Sequence, residues 1–206
     1  MDAEAADELI AIGRRFDARG WVLGTSGNFS RVVSRHPLRL AITRSGSHKG
    51  ALTRDDIVEY EDGRIVSGRG ASSAETPLHL EIAAKRAAGC VLHTHSIWST
   101  LLSDRYAEGG GIPIEGYEML KGLSGVGTHE HREWLPILAN DQDMTRLGAA
   151  VARVLDEQSA CHGFLLRRHG LYTWGGTIAE AARHVEILEF LLESVARSKE
   201  AASWHS

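Results

Sequence analysis

Three histidines are the residues whose type and spacing best suit catalytic chemistry in this sequence. His93 and His95 lie two residues apart in an apolar run. The two-residue period of a β-strand would place both imidazoles on one face. His169 follows a second apolar run, and Gly170 beside it would let another chain segment approach closely. A catalytic Zn²⁺ takes three protein ligands and keeps a position open, so the sequence predicts one zinc per chain on these histidines.

Other interpretations of these histidines stay open at this point. They can be ordinary packing or surface residues, or they can hold a structural zinc that a Cys or carboxylate closes as fourth ligand. The second pair of this spacing, His129 and His131, has polar neighbours and is expected in an exposed connection. The remaining histidines have no spacing partner and are expected at the surface or in packing: His36, His48, His79, His162, His184 and His205.

Three loops of small residues form a second signal. They cover residues 24–28, 43–46 and 72–73 and contain glycines, serines and threonines. Glycine permits close backbone approach, and free N–H groups at a helix start favour an anion. With the cations Arg44, Lys49 and Lys121 in the sequence, the loops are expected to cradle a phosphate. Ordinary turns and caps are the competing explanation for each loop.

Two carboxylates are candidates for proton transfer. Glu75 follows the paired serines after one residue, and Glu118 lies in the segment of residues 117–122. A carboxylate beside a divalent ion and away from water can exchange a proton with a substrate. Glu118 and Lys121 are three residues apart, so an exposed ion pair is the alternative for that glutamate.

Composition excludes several classes of function. The chain has 206 residues, 23 Lys and Arg against 27 Asp and Glu, and a net charge of −4. Nucleic-acid binders need a basic surplus, and no apolar run approaches the ~20 residues of a membrane span. We therefore expect neither a nucleic-acid nor a membrane partner. The N-terminus is acidic where a secretory signal would be basic, which predicts a cytoplasmic protein.

Hydrophobic periodicity predicts a single α/β domain over residues 1–206, with a central mixed or antiparallel sheet flanked by helices. Helices are expected at residues 5–19, 73–88, 96–102, 141–156 and 177–199. Strands are expected at residues 38–43, 63–67, 90–95, 112–115, 133–139, 164–169 and 171–175. The last helix has a long apolar face, which either packs inside the chain or joins subunits: Ala182, Val185, Leu188, Leu192 and Val195.

The order of these motifs resembles the class II aldolase/adducin family. The motifs are residues 27–30, 45–46, 72–73, 93–95 and 168–170, and they extend over nearly the whole chain. The resemblance implies an α/β domain that binds zinc through three histidines and handles phosphorylated ketoses. It also implies a homo-oligomer, usually a tetramer, with sites between subunits.

Carried onto this sequence, the resemblance assigns roles to individual residues. The zinc ligands are His93, His95 and His169, and the residues placed to contact phosphate are Asn28, Ser45, Gly46, Ser72 and Ser73. Residues 117–122, which include Lys121, and 167–175 resemble the branch that removes water from a ketose 1-phosphate, where the glutamate matching Glu118 is the acid/base. Aldolases of the family instead carry a catalytic Glu directly after the serines, whereas here Ala74 precedes Glu75. A zinc-dependent aldolase and a non-catalytic adducin-like binding module remain the alternatives.

Overall fold

The computed structural model describes the backbone of residues 1–203 and the side chains of residues 1–198, so His205 lies outside the described residues. Five α-helices occur in this part of the chain: α1 Ala3–Ala18, α2 Thr76–Lys85, α3 Ile97–Arg105, α4 Met144–Glu157 and α5 Ile178–Ser203. Among the described residues, no helix combines the length and the apolar character needed to cross a membrane.

Nine strands form one sheet in the described part of the chain. They are β1 Asn28–Arg35, β2 Leu38–Thr43, β3 Ile57–Glu61, β4 Arg64–Ser67, β5 Cys90–Thr94, β6 Gly111–Ile114, β7 Glu133–Leu138, β8 Gly163–Leu166 and β9 Gly170–Gly175. Their spatial order is β4-β3-β2-β1-β5-β9-β8-β7-β6. The pairing of β7 with β8 is parallel, and the other pairings are antiparallel. The predicted fold class, a mixed sheet flanked by helices, is confirmed.

Successive side chains of β5 point to opposite faces of the sheet, so its buried residues pack in two different clusters. Val91 packs in the cluster with α2 and α4, whereas Cys90 and Leu92 pack in the cluster with α1 and α5. Helix α3 packs with α5 in a third cluster near β6. The sheet is therefore covered on both faces, and His93 belongs to the face that α2 and α4 cover.

The structure adds two strands to the predicted elements and moves the start of one helix. The sequence analysis missed β1 and β3, which the structure adds to the sheet. It also began the second helix at Ser73, whereas α2 begins at Thr76 after the N-cap Glu75. Pro77 explains this start, because proline is well tolerated in the first helical turn, where its missing N–H needs no partner.

The apolar face of α5 packs inside the chain. Leu188 and Leu192 are fully buried against α3 and the sheet, and Ala182 and Val185 pack with α1. Of the two alternatives for this face, the structure shows internal packing. This face therefore gives no support to the predicted oligomer.

Candidate functional site

The three predicted ligand histidines meet at one end of the sheet. His93 lies in β5, His95 follows that strand, and His169 lies in the tight turn from β8 to β9. His93 Nε2 is 2.8 Å from His95 Nε2 and 3.3 Å from His169 Nε2. Gly170 makes this approach possible, because a Cβ there would clash with the Thr94 carbonyl oxygen.

Hydrogen bonds fix the tautomers of two of these rings. His93 Nδ1 donates to the Leu171 carbonyl at 2.9 Å, and His169 Nδ1 donates to Asn140 Oδ1 at 3.3 Å. In neutral rings the Nε2 atoms then carry lone pairs. Burial and the neighbouring imidazoles hold the pKa of His93 well below its usual range, and burial with the charges of His169 and Lys49 lowers the pKa of His95 to about 4.

These hydrogen-bond roles suit a metal ion. The Nε2 lone pairs of His93 and His169 face one another with no proton between them, which is repulsive unless a cation lies between. Neutral imidazole with its other nitrogen bonded to a carbonyl is the usual state of a metal-ligating histidine. The residues present therefore fit a divalent metal centre.

Tyr172 supports the imidazole ring of His93 from the neighbouring strand. The two residues are cross-strand partners, and their rings stack at 3.9 Å with an interplanar angle of 11°. Phe164 stacks on the other side of Tyr172 at 5.0 Å. Burial and the Glu75 carboxylate raise the pKa of Tyr172 well above its usual range. Tyr172, which the sequence analysis did not select, therefore acts as a neutral packing surface for the His93 ring.

The Glu75 carboxylate lies close to the Nε2 atoms of His93 and His169. Its Oε1 lies 3.4 Å from His169 Nε2, and its Oε2 lies 3.6 Å from His93 Nε2. Asn28 Nδ2 donates to Glu75 Oε2 at 2.6 Å and holds the carboxylate in place. Glu75 can therefore act as a fourth ligand or as a proton carrier beside the metal.

Asn28 is itself oriented by a buried chain of hydrogen bonds. The Ser30 hydroxyl donates to His79 Nδ1 at 2.7 Å, and His79 Nε2 donates to Asn28 Oδ1. Burial lowers the pKa of His79 to about 3, so the ring is neutral. His79 was expected in packing or at the surface. It is fully buried, and it turns the Asn28 amide nitrogen toward the site.

A cavity of about 170 Å³ lies beside the histidines and gathers the predicted small-residue loops. Five of the residues predicted to contact phosphate or to transfer a proton line it: Asn28, Ser45, Gly46, Ser73 and Glu75. His95 and the residues 25–27 complete one wall. Gly27 has a φ of +71°, and a Cβ there would lie 2.6 Å from the His93 carbonyl oxygen. Glycine therefore lets this loop pack closely against β5.

Two cations bring positive charge to this cavity, Lys49 and Arg44, and Arg44 pairs with Asp56 at 2.7 Å. The Lys49 side chain is 1% exposed, and its Nζ donates to the Thr25 carbonyl at 2.9 Å and to the Ser47 carbonyl at 2.7 Å. Burial lowers the pKa of Lys49 to about 8, so it is mainly protonated at neutral pH. The sequence analysis noted this cation without placing it. Its position three residues after Gly46 is the signal that could have done so.

Three of the residues predicted to contact phosphate or to transfer a proton do not join the cavity wall within the described part of one chain. Ser72 forms an isolated β-bridge with Arg44. Glu118 is 72% exposed, and its Oε1 accepts from Lys121 Nζ at 2.6 Å. This is the ion pair that the sequence analysis left open. A single chain therefore brings Glu75, but neither Glu118 nor Lys121, to the histidines.

A second group of histidines surrounds Glu133 at the edge of a cavity of about 460 Å³. Glu133 Oε2 accepts from His131 Nε2 at 2.9 Å and from His162 Nδ1 at 3.0 Å. His162 Nε2 donates to the Ser124 carbonyl at 2.8 Å. Because both partners of His162 are acceptors only, both of its nitrogens carry protons. Burial lowers the pKa of His162, but the hydrogen bond to Glu133, the negative charge of Glu133 and the hydrogen bond to the Ser124 carbonyl together outweigh burial, so the net shift of this pKa is upward.

This pairing predicts pH-dependent stability. Because the pKa of His162 is raised in the folded state, protonated His162 stabilises the fold. This contribution to the free energy of unfolding is complete below the ordinary histidine pKa of 6.5 and is lost as pH rises through the folded-state pKa. Burial raises the pKa of Glu133, but its hydrogen bonds to His162 and His131 make the net shift downward, so its contribution is full above 4.5. We expect His162→Gln to cost about 2 kcal/mol near pH 5.5 and less near pH 8.5. Urea unfolding at both pH values measures this, and an equal cost at both would contradict the assignment.

Comparison with known proteins identifies the family. A model described as the Class II Aldolase and Adducin N-terminal domain matches residues 7–195. The chain belongs to this family. The resemblance found in the sequence motifs is therefore confirmed.

Curated members of the class II aldolase/adducin family include proteins named methylthioribulose-1-phosphate dehydratase. The chain is 45% identical over 193 residues to the protein of that name from Parvibaculum lavamentivorans, and the match covers 92% of each chain. It is 46% identical over 192 residues to the one from Gluconacetobacter diazotrophicus, covering 92% of this chain and 91% of the relative.

Solved structures of the family share the fold. An L-fuculose 1-phosphate aldolase superposes with a TM-score of 0.80 at 22% identity, covering 97% of this chain and 88% of that one. The L-fuculose-1-phosphate aldolase from Thermus thermophilus gives 0.79 at 23% identity, covering 98% of this chain and 99% of that one. At this identity the likeness establishes the class II aldolase architecture.

Proposed function

We propose that the chain is a zinc-dependent methylthioribulose-1-phosphate dehydratase of methionine salvage, acting in the cytoplasm. It would convert 5-methylthioribulose 1-phosphate to 2,3-diketo-5-methylthiopentyl 1-phosphate and water. The observation that carries the proposal is the 45% identity to a relative of that name over 92% of both chains. The convergent neutral histidines beside a cationic cavity support it.

The metal would be held by His93, His95 and His169. When bound, Zn²⁺ supplies Lewis-acid polarisation of the substrate's C2 carbonyl, which makes the C3 proton more acidic. Glu75 lies against the same nitrogens and would fill the remaining position or carry a proton. Tyr172 stacks on His93 and keeps its ring in the orientation that the metal needs.

The phosphate of the substrate would occupy the cavity beside the histidines. Lys49 offers the charge, while Asn28, Ser45, Gly46 and Ser73 offer amide, hydroxyl and backbone contacts. Binding a phosphate that does not react holds the reacting carbons in place. Ser72 and Lys121 do not line this cavity in one chain, so we assign them no phosphate contact there.

A test of this pocket is the replacement of Lys49 by methionine. Losing a charge-assisted hydrogen bond costs about 1.5–3 kcal/mol, so KM should rise about 10- to 100-fold with a smaller change in kcat. Lys85→Met is the matched control, because Lys85 pairs with Asp156 at the surface. Steady-state kinetics measures both variants. An unchanged KM for Lys49→Met would remove Lys49 from the phosphate site.

Glu118 would carry the proton of the dehydration from a neighbouring subunit. It would take the proton from C3 and return one to the hydroxyl that leaves C4 as water. Its exposure in one chain is consistent with a site completed by a second copy. Met119 beside it is 36% exposed, and Ile97 and Leu101, which follow His95 on α3, are 65% and 57% exposed. We propose that these apolar residues meet in a homo-oligomer, a tetramer by family resemblance.

A zinc-dependent aldolase is the second candidate, because Glu75 lies at the histidines much as an aldolase glutamate would. It would cleave the C3–C4 bond of a ketose 1-phosphate with the same metal and phosphate pocket. An adducin-like binding module is the least supported alternative, because such modules lack the three ligand histidines that meet here.

Competing substrates distinguish the two enzymes. We expect the zinc-loaded protein to consume 5-methylthioribulose 1-phosphate with a much higher kcat/KM than L-fuculose 1-phosphate. The ratio of the two kcat/KM values measures the specificity of the site. A preference for L-fuculose 1-phosphate would favour the aldolase.

A further inference from the structure

Residues 115–132 link β6 to β7 and carry Glu118. The first part of this segment is a short 3₁₀ helix, Glu118–Gly122, whose Leu120 is fully buried. A Cβ at Gly122 would lie 2.5 Å from Ile187 Cδ1, so the segment lies directly against α5. Glu118 itself contacts only surface groups, Lys121 at 2.6 Å and His129 at 3.8 Å, among the described residues. The position of Glu118 therefore depends on how the segment is fixed elsewhere.

Ser124 is the point at which polar contacts fix this segment. Its N–H donates to His184 Nε2 at 3.1 Å, and its carbonyl accepts from His162 Nε2 at 2.8 Å. Its hydroxyl accepts from Arg183 at 3.1 Å and can donate to Glu180 Oε1 or to the same His184 Nε2, which lies 2.9 Å away. The backbone N–H, the backbone carbonyl and the side chain of Ser124 are thus all bound to partners from α5 or to His162, which directly precedes β8.

The two histidines have opposite hydrogen-bond roles. His184 Nδ1 donates to the Trp174 carbonyl at 2.7 Å, so its Nε2 is left as an acceptor for the Ser124 N–H. His162 donates from both nitrogens, to Glu133 and to the Ser124 carbonyl. The neutral ring of His184 therefore binds the N–H of Ser124, and the charged ring of His162 binds its carbonyl.

We propose that Ser124, held between His184 and His162, is the positioning residue that fixes Glu118 for proton transfer. The proposal rests on the proposed function, because it assumes the acid/base role of Glu118. Glu118 begins the 3₁₀ helix, and Ser124 directly follows the C-cap of that helix, Leu123, so a shift at Ser124 reaches the carboxylate. A displacement of about 1 Å can cost about 100-fold in rate.

A metal site is the other use that this cluster suggests. Ligand atoms of His131, Glu133 and His162 lie within 4.8 Å of one another. A metal would need a lone pair on His162, but that ring donates to Glu133 and to Ser124. The hydrogen bonds therefore favour a fixed network, and metal content becomes a control in the test.

The test compares His184→Leu with His184→Gln in the full chain loaded with zinc. Leucine removes the acceptor of the Ser124 N–H, whereas the glutamine carbonyl can replace it. We expect His184→Leu to lower kcat about 10- to 100-fold with KM and zinc content unchanged, and His184→Gln to recover most of the loss. Ser124→Ala should give a smaller loss of the same kind. Ser159→Ala is the control, because Ser159 lines the same cavity without contacting the segment.

Two further measurements make the result decisive. Hydrogen exchange of amides 117–124 should accelerate in His184→Leu while the amides of β5 and β9 keep their protection. In a Glu118→Gln background, His184→Leu should lower kcat no further, since both changes act on the same group. Thermal unfolding by circular dichroism checks that each variant is folded.

Several outcomes would overturn the proposal. These are unchanged exchange in residues 117–124, an unchanged kcat despite faster exchange, an additive loss in the Glu118→Gln background, or a loss of zinc that parallels the loss of rate. A wild-type protein that does not dehydrate the substrate would instead refute the proposed function. In that case the exchange measurement still decides whether His184 and Ser124 fix the segment.

Discussion

Replacing His95 by glutamine should lower kcat/KM about 1,000-fold and reduce bound zinc well below one equivalent per chain, because polarisation by a metal ion contributes several kcal/mol. His95 Nε2 lies 2.8 Å from His93 Nε2, so His95 belongs to the group of three histidines that the fold brings together. Helix content should persist, because the His95 side chain belongs to the site and not to the apolar core. Metal analysis and steady-state kinetics measure the two effects.

The control for this variant is His36→Gln, because His36 is exposed in the loop between β1 and β2 and lies outside the group of three histidines. It should leave zinc content and rate within about two-fold of wild type, the scatter expected of a surface substitution. If His95→Gln kept both full activity and a full equivalent of zinc, the assignment of the metal centre would be lost.

Glu118→Gln should lower kcat about 10²- to 10⁴-fold while zinc content and fold persist. Glutamine keeps the size of the side chain and removes proton transfer. Glu115→Gln is the matched control, because Glu115 lies in the same segment and pairs with Arg132 at the surface. A loss of less than a few-fold for Glu118→Gln, together with inactivation by Glu75→Gln, would reverse the roles of the two carboxylates and favour the aldolase.

Hybrid oligomers test whether Glu118 acts across a subunit boundary. Chains carrying Glu118→Gln and chains carrying His95→Gln are each expected to be nearly inactive. If each site combines histidines of one chain with Glu118 of a neighbour, a random one-to-one mixture restores about a quarter of the sites. Co-expression followed by kinetics measures the recovery. No recovery in verified mixed oligomers would place Glu118 in the same chain as its histidines or outside the site.

The convergence of the three histidines could be predicted from the sequence because its signal is local. His93 and His95 share a strand face by period two, and Gly170 marks the close approach that brings His169 to them. Tyr172 could not be placed in the same way, and for Lys49 the only local signal is its position three residues after Gly46. Their roles depend on cross-strand register and on where a loop returns to the sheet, and these are properties of the tertiary fold.

There is also a physical reason why β1 was not predicted from the sequence. β1 carries Asn28, Ser30 and Arg31, polar residues that ordinarily indicate a loop or an exposed strand. In the structure Ser30 is fully buried, and the hydrogen bond from its hydroxyl to His79 compensates for the loss of water. A buried polar network of this kind is stable only when each member has its partner, and sequence periodicity carries no information about the partner.

The mass of the product tests the account most directly. Zinc-loaded protein is incubated with 5-methylthioribulose 1-phosphate, and the phosphorylated product is measured by mass spectrometry, with His95→Gln as the inactive control. The account predicts one product that is lighter than the substrate by one water and keeps all of its carbon atoms. Two fragments from cleavage of C3–C4, or no reaction in protein with a full equivalent of zinc, would contradict it.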